Sequence, residues 1–168
     1  MIIDILYLFF IILFFSAAYA SWRAAPWVPT KKNDVDRFLK LLEIKQDIKF
    51  YDLGCGDGRL IIAMASKGAK ATGLEISVFN YFLTNVKIFF CKSRAVVKFK
   101  DFWNVNLNDA DLIYVFLMQS VYPKLKKKFE KELKKGAKIA IYAWPMEGWK
   151  PVAIDRKQGS LPIYLYQI

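Results

Sequence analysis

The chain has 168 residues, 55% of them hydrophobic, and a formal net charge of +11, which is room for one domain with its own core. It holds no histidine, which excludes histidine triads, histidine general bases and most zinc sites, and its two cysteines, Cys55 and Cys91, form neither a C-x-x-C pair nor a disulfide framework. The cationic excess suits an anionic membrane surface, an acidic partner or nucleic acid, but no arginine-aromatic cluster or RNP-like motif singles out nucleic acid.

Residues 2–20 read IIDILYLFFIILFFSAAYA, with only Asp4 interrupting the apolar run. A membrane span needs ~20 such residues. Tyr19, Trp22 and Trp27 follow as interfacial aromatics. Ala18-Tyr19-Ala20 has the form of a signal-cleavage site, but the residues before the apolar run carry no positive charge. The expectation is therefore a single-pass anchor at 1–22, a Pro-containing linker at 23–33 and a domain at 34–168. Arg23, Lys31, Lys32 and Arg37 follow the anchor, which places that domain on the cytoplasmic side.

The domain opens with a helix predicted over 34–44, where Val35, Phe38, Leu41 and Leu42 recur at helical spacing and Asn33 or Asp34 supplies the cap. Strands are expected at 48–53, 70–75, 95–100, 112–117, 137–143 and 162–167. Helices are expected at 58–67, 78–90 and 122–134, with Cys91 ending an apolar helix in the core. This alternation indicates an α/β fold with a doubly wound, mostly parallel sheet. In the lysine-rich helix, Val121, Leu125, Phe129 and Leu133 form the core stripe, and Glu130 and Lys134 stand at i,i+4. Its lysines make a solvated face or rest on anionic headgroups.

The most informative stretch is YDLGCGDGRL, Tyr51 to Leu60. An apolar strand, an acid, three alternating glycines and an amphipathic run describe strand, tight turn and helix, an arrangement that seats a nucleotide-like ligand. A dinucleotide fingerprint counted from Gly54 needs glycine at position 59, where Arg59 stands, and the Gly-Lys-Ser/Thr of a Walker A loop is absent. The pattern D-x-G-x-G-x-G, with Asp52 at the strand end, resembles motif I of the class I S-adenosylmethionine (SAM)-dependent methyltransferases. A carboxylate there suits SAM, which carries a sulfonium and an ammonium and no phosphate. Asp52, Gly54, Cys55 and Gly56 are the candidate turn residues, Cys55 where a small residue is needed. Glu75 follows at the spacing at which an acid reaches a ribose. By the same resemblance, Asp101 accepts from the adenine amino group and Phe102 packs on the ring. Asp111-x-x-Tyr114 matches a lysine-methyltransferase pattern but begins its strand rather than following it, and is read as coincidence. The Asn/Asp-Pro-Pro-Tyr signature of nucleobase amino-methylation is missing. Trp144, Pro145 and Trp149 form an aromatic loop that either encloses an alkyl-ammonium chain or packs on the last strand.

Five segments, PWVPTKKNDVDRFLKLLEI, YDLGCGDGRLIIAMA, DFWNVNLNDADLIYVFL, KLKKKFEKELKKGAKI and WPMEGWKP, occur in one order. Over roughly 25–168 the chain thus resembles the small seven-strand protein-lysine methyltransferases. That group includes archaeal broad-specificity enzymes and mitochondrial enzymes acting on the ATP synthase c subunit and the adenine nucleotide translocase. The resemblance implies a seven-stranded Rossmann-like fold and SAM as cofactor, with no metal. It implies methyl transfer to the ε-amine of a protein lysine, on a membrane-associated or membrane-embedded protein. Val28, Pro29 and Thr30 would fold over the methionine end of SAM. Catalytic residues are not assigned, and water or a tyrosine takes the amine proton. Two other readings stay open: a SAM-dependent enzyme of RNA or small molecules, and a non-catalytic SAM-binding membrane protein.

Overall fold

A computed structural model describes residues 2–42 and 44–168; Met1 of the expected anchor and Glu43 of the first predicted domain helix lie outside them. The chain runs α1 (Ile2–Arg23), α2 (Lys32–Leu41), β1 (Lys49–Leu53), α3 (Arg59–Ser66), β2 (Lys70–Glu75), α4 (Val78–Phe90), β3 (Val96–Phe99), β4 (Leu112–Val115), α5 (Tyr122–Glu132), β5 (Lys138–Tyr142), β6 (Ala153–Asp155) and β7 (Ile163–Gln167). One seven-stranded sheet has the order β3-β2-β1-β4-β5-β7-β6. The first five strands in that order are parallel, and β7 runs antiparallel to both β5 and β6. This is the doubly wound, seven-stranded Rossmann-like sheet expected above, with the N-terminal apolar helix present.

Central strand β4, Leu-Ile-Tyr-Val, is buried throughout, as a strand covered on both faces must be. Its side chains alternate between two cores. Ile113 and Val115 join Leu53, Leu125, Phe129 and Ile139 on one face of the sheet. Leu112 and Tyr114 join Phe38, Phe50, Leu60 and Met64 on the other. The stripe on α5 is confirmed: Leu125 and Phe129 are fully buried and Lys124, Lys127 and Lys131 are exposed, while Lys128 turns in to the Val105 carbonyl and Glu132.

Four local expectations are corrected. Strand β6 went unrecognised, because three partly exposed residues at a sheet edge carry little pattern. Neither Asn33 nor Asp34 caps α2, whose cap is Lys31 without a side-chain bond. The Glu130–Lys134 pair gives way to Lys128–Glu132 at 2.7 Å, while Lys134 reaches Asp111 at 2.5 Å and Glu130 accepts from the Trp149 indole at 3.2 Å. Cys91 is exposed rather than core.

Asp34 is buried at the centre of a polar cluster. Its carboxylate accepts from Arg37 Nη1 at 2.8 Å and from the Tyr142 hydroxyl at 2.6 Å. Arg37 also donates to Asp155 and to the Leu161 carbonyl, so one guanidinium ties α2 to β6 and the segment before β7. Burial opposes the Asp34 charge, but the Tyr142 and Arg37 hydrogen bonds hold its pKa below the ordinary value. Replacing one partner of a buried pair strands the other. Arg37→Ala should cost about 3 kcal/mol or more in urea unfolding, because it leaves the Asp34 charge buried without its cation.

Candidate active site

The site grows from the turn after β1. Gly54, Gly56 and Gly58 all have positive φ. At Gly56 (φ +55°) a Cβ would stand 2.6 Å from Trp27 Nε1, and at Gly58 (φ +74°) 2.4 Å from Thr84 Cγ2. Only glycine fits such positions. Thr84 of α4 also donates its hydroxyl to the Gly56 carbonyl at 2.6 Å.

Glu75, at the end of β2, clamps this turn. One carboxylate oxygen accepts from Gly56 N at 2.9 Å, and the other accepts from Ile76 N and Ser77 N at 2.8 and 2.7 Å. Burial raises its pKa while those three N–H groups oppose the rise. Ser77 then caps α4 by accepting from Asn80 N.

Asp52 is buried near the end of β1, and burial, then the Glu75 and Asp57 charges, push its pKa well above the ordinary range. Asp57 goes the other way. Burial opposes its ionisation, but hydrogen bonds from Arg59 (Nη2–Oδ2 2.6 Å) and Lys87 (2.5 Å) bring it down to about 2. Arg59 also donates to the Thr30 carbonyl at 2.6 Å, fastening the segment before α2 over the turn.

These groups surround a cavity of about 400 Å³. Val28, Pro29, Thr30, Asp52, Gly54, Cys55, Gly56, Glu75 and Phe102 all line it. Asp101 is not among the lining residues; its carboxylate accepts from Arg23 Nη2 and Nε at 2.5 and 3.1 Å and from Trp103 N at 3.0 Å. Trp144, Pro145 and Trp149 stand apart from the cavity. Pro145 borders a shallow recess with Tyr122 and Lys126, and Trp149 packs on Tyr166 with ring centres 5.7 Å apart.

Sequence reasoning missed several lining groups. Tyr114 points its hydroxyl to Thr30 Oγ1 at 3.3 Å, whereas Asp111, at the far end of the same strand, bonds Lys49 N. Trp27, an interfacial aromatic in the sequence reading, also sits against the glycine turn. Leu13, Phe14, Ala17 and Ala20 of α1 form one wall. Arg59 carried a signal, a cation at the helix start beside Asp57, but its contact with Thr30 needed the fold.

SAM fits this donor set. The buried carboxylates suit its cations, Phe102 offers an apolar side chain, and Asn80, whose buried Oδ1 has no partner among the described residues, is one of the lining residues.

Residues 52–153 match the family model of the ANTKMT methyltransferase domain. The chain is 35% identical over 150 residues to a protein-lysine N-methyltransferase of Saccharolobus islandicus, covering 85% of this chain and 93% of that one. It is 33% identical over 146 residues to the adenine nucleotide translocase lysine N-methyltransferase of Mus musculus, covering 85% of this chain but 63% of the mouse protein. An RNA methyltransferase from Salinibacter ruber, solved with S-adenosyl-L-homocysteine, superposes with a TM-score of 0.80 at 27% identity, covering 84% of this chain and 94% of that one.

The Asp57 cluster predicts acid sensitivity. Its folded pKa lies below the unfolded value, so its stabilisation is complete above pH ~4 and is lost as pH falls through about 2. Urea midpoints measured from pH 5 to 2 should fall less steeply for Asp57→Asn than for the wild type.

Proposed function

The chain belongs to the family of ANTKMT methyltransferase domains, and we propose that this SAM-dependent protein-lysine N-methyltransferase works at a membrane surface, on a lysine held by a membrane protein. The observation that carries the membrane part is the cavity wall. The same apolar helix that is long enough to cross a bilayer lines the cavity beside Asp52 and Glu75. The lysine part draws support from the Saccharolobus islandicus and Mus musculus enzymes.

In this reading 1–22 is the anchor, 23–33 the connection and 34–168 the methyltransferase domain on the cytoplasmic side, where the cations Arg23, Lys31, Lys32 and Arg37 remain. When bound, SAM supplies a methyl group on a sulfonium that leaves readily. Asp52 faces its cationic end, with Val28, Pro29 and Thr30 covering it. Gly54, Cys55 and Gly56 give close backbone approach. Glu75 keeps acceptor capacity for ribose hydroxyls, since a carboxylate offers about four lone-pair sites and three backbone N–H groups fill three. The same count holds for Asp101, which keeps a site for the adenine amino group while Arg23 and Trp103 hold it in place. Phe102 takes the adenine ring.

The acceptor amine must be neutral to attack, and lysine's ordinary pKa is about 10.4. Apolar walls from α1, Phe102 and Leu117 disfavour its ammonium form. Burial pushes the Tyr114 hydroxyl well above its usual pKa, so it stays protonated and serves as a hydrogen-bonding group rather than a base. The proton leaves to water. Trp144, Pro145 and Trp149, outside the cavity, take the acceptor's chain rather than its amine.

The likeness to the Salinibacter ruber enzyme supports a second reading, methylation of RNA. Labelled SAM offered with membrane protein and RNA together separates the two. The expected product is methyl-lysine by mass spectrometry. Label in RNA would overturn the lysine reading, and SAM binding without any transfer would make the chain a non-catalytic binder.

Asp52 generates a further expectation. A cationic ligand favours the ionised carboxylate, so SAM affinity should rise with pH through the raised Asp52 pKa and then level off. Below that pKa, binding should release a proton. Calorimetry in two buffers of different ionisation enthalpy measures the release, and Asp52→Asn should abolish it and weaken SAM binding about tenfold or more.

A further inference from the structure

Helix α4 is amphipathic the wrong way round for a helix on a water-soluble domain. Its buried residues are Asn80 and Thr84. Its outward residues are Phe79, Phe82, Val86, Phe89 and Phe90; the last four are more than half exposed and Phe79 is nearly so. At 3.6 residues per turn these five fall within an arc of roughly 100°. The stripe does not end with the helix. Tyr81 packs on exposed Phe99 of edge strand β3, with ring centres 5.4 Å apart. Soluble monomers rarely expose so continuous an apolar face.

Two observations say what covers it. First, the stripe is continuous with α1. Ser16 Oγ accepts from Val78 N at 2.8 Å and donates to the Ile76 carbonyl at 3.5 Å, so the start of α4 is bonded to the middle of the apolar helix. Ser16 lies seven residues, about 10 Å, before the end of α1. A bilayer that takes up α1 therefore reaches α4. Second, exposed cations follow the stripe in the chain: Lys92 and Arg94 just beyond α4, and Lys98 on β3. Apolar aromatics followed by lysine and arginine match the acyl boundary of an anionic leaflet.

We propose that the outward face of α4 is a second membrane contact, bedded into the headgroup–acyl boundary of an anionic bilayer beside α1. This rests on the reading of α1 as a membrane helix, and it sets the domain's height and tilt, which a single helix does not. The cavity, walled by α1 and bordered by Phe79, is thereby held at the bilayer surface.

Cys91, exposed immediately after the stripe, provides the test, since the other cysteine, Cys55, is buried. The full chain is labelled at Cys91 with an environment-sensitive fluorophore and reconstituted into vesicles of phosphatidylcholine and phosphatidylglycerol. The expected result is a blue-shifted label, quenched at least threefold more by lipids brominated near the headgroup than by aqueous iodide. Phe82→Glu with Phe89→Glu should reverse that ratio while the chain still floats with the vesicles through α1. A floating wild-type chain whose label stays open to iodide overturns the proposal and leaves the anchor standing. Failure to float overturns both. Shielding that appears only on adding an acceptor protein, or only at high protein-to-lipid ratios, overturns it in favour of a protein partner or a second copy.

Discussion

One carboxylate holds the site together. Glu75 is buried, and a buried carboxylate is tolerated only when it is hydrogen-bonded. The partners it finds are Gly56 N in the turn after β1, and Ile76 N and Ser77 N leading into α4. Satisfying that one group draws two βα junctions onto a common point. The rest follows from it. Ser77 caps α4, Thr84 reaches back to the Gly56 carbonyl, and Gly58 must be glycine because Thr84 fills the space where a side chain would go.

Three acids meet around this turn, and each is treated differently. Asp57 is neutralised by Arg59 and Lys87, Glu75 is held by three backbone N–H groups, and Asp52 is left buried with its charge disfavoured. Pushing the pKa values of neighbouring carboxyls apart in this way is characteristic of functional sites. Here it leaves Asp52 in the cavity wall as the acid whose ionised form a cationic ligand would favour. Two arginines then lock the N-terminal segment to the rest of the domain, Arg59 through the Thr30 carbonyl and Arg23 through Asp101.

The glycine turn explains the odd character of α4. Its inner face must service the turn, so Asn80 and Thr84 occupy positions that a helix on a sheet normally gives to leucine or isoleucine. The aromatic residues that remain point outward, next to a helix that is itself apolar on every side. In a cytosolic domain this would be a liability. Beside the apolar α1, to which the start of α4 is bonded through Ser16, it makes one continuous apolar surface next to the cavity.

Much of this was legible in the sequence, and the reason is locality. Strands β1, β2, β4 and β5 are buried on both faces and read as short apolar runs, and the glycine turn declares itself within seven residues because the chain must turn and cap a helix there. From that pattern the sheet, the cofactor and the family could be read. Whatever depends on residues distant along the chain was not legible. Arg23 meets Asp101 across 78 positions, Arg37 meets Asp155 across 118, and nothing in either local pattern announces the pair. Short, half-exposed β6 lacked the alternation that marks a strand. The exposure of Cys91 followed from which face of α4 the glycine turn claimed. Sequence alone determined the conformation and charge of the glycine turn, because both are set there by neighbouring residues. Only the tertiary structure decided that α1 walls the cavity and that α4 turns its aromatics outward, because packing, not periodicity, chooses which face of a helix is inside.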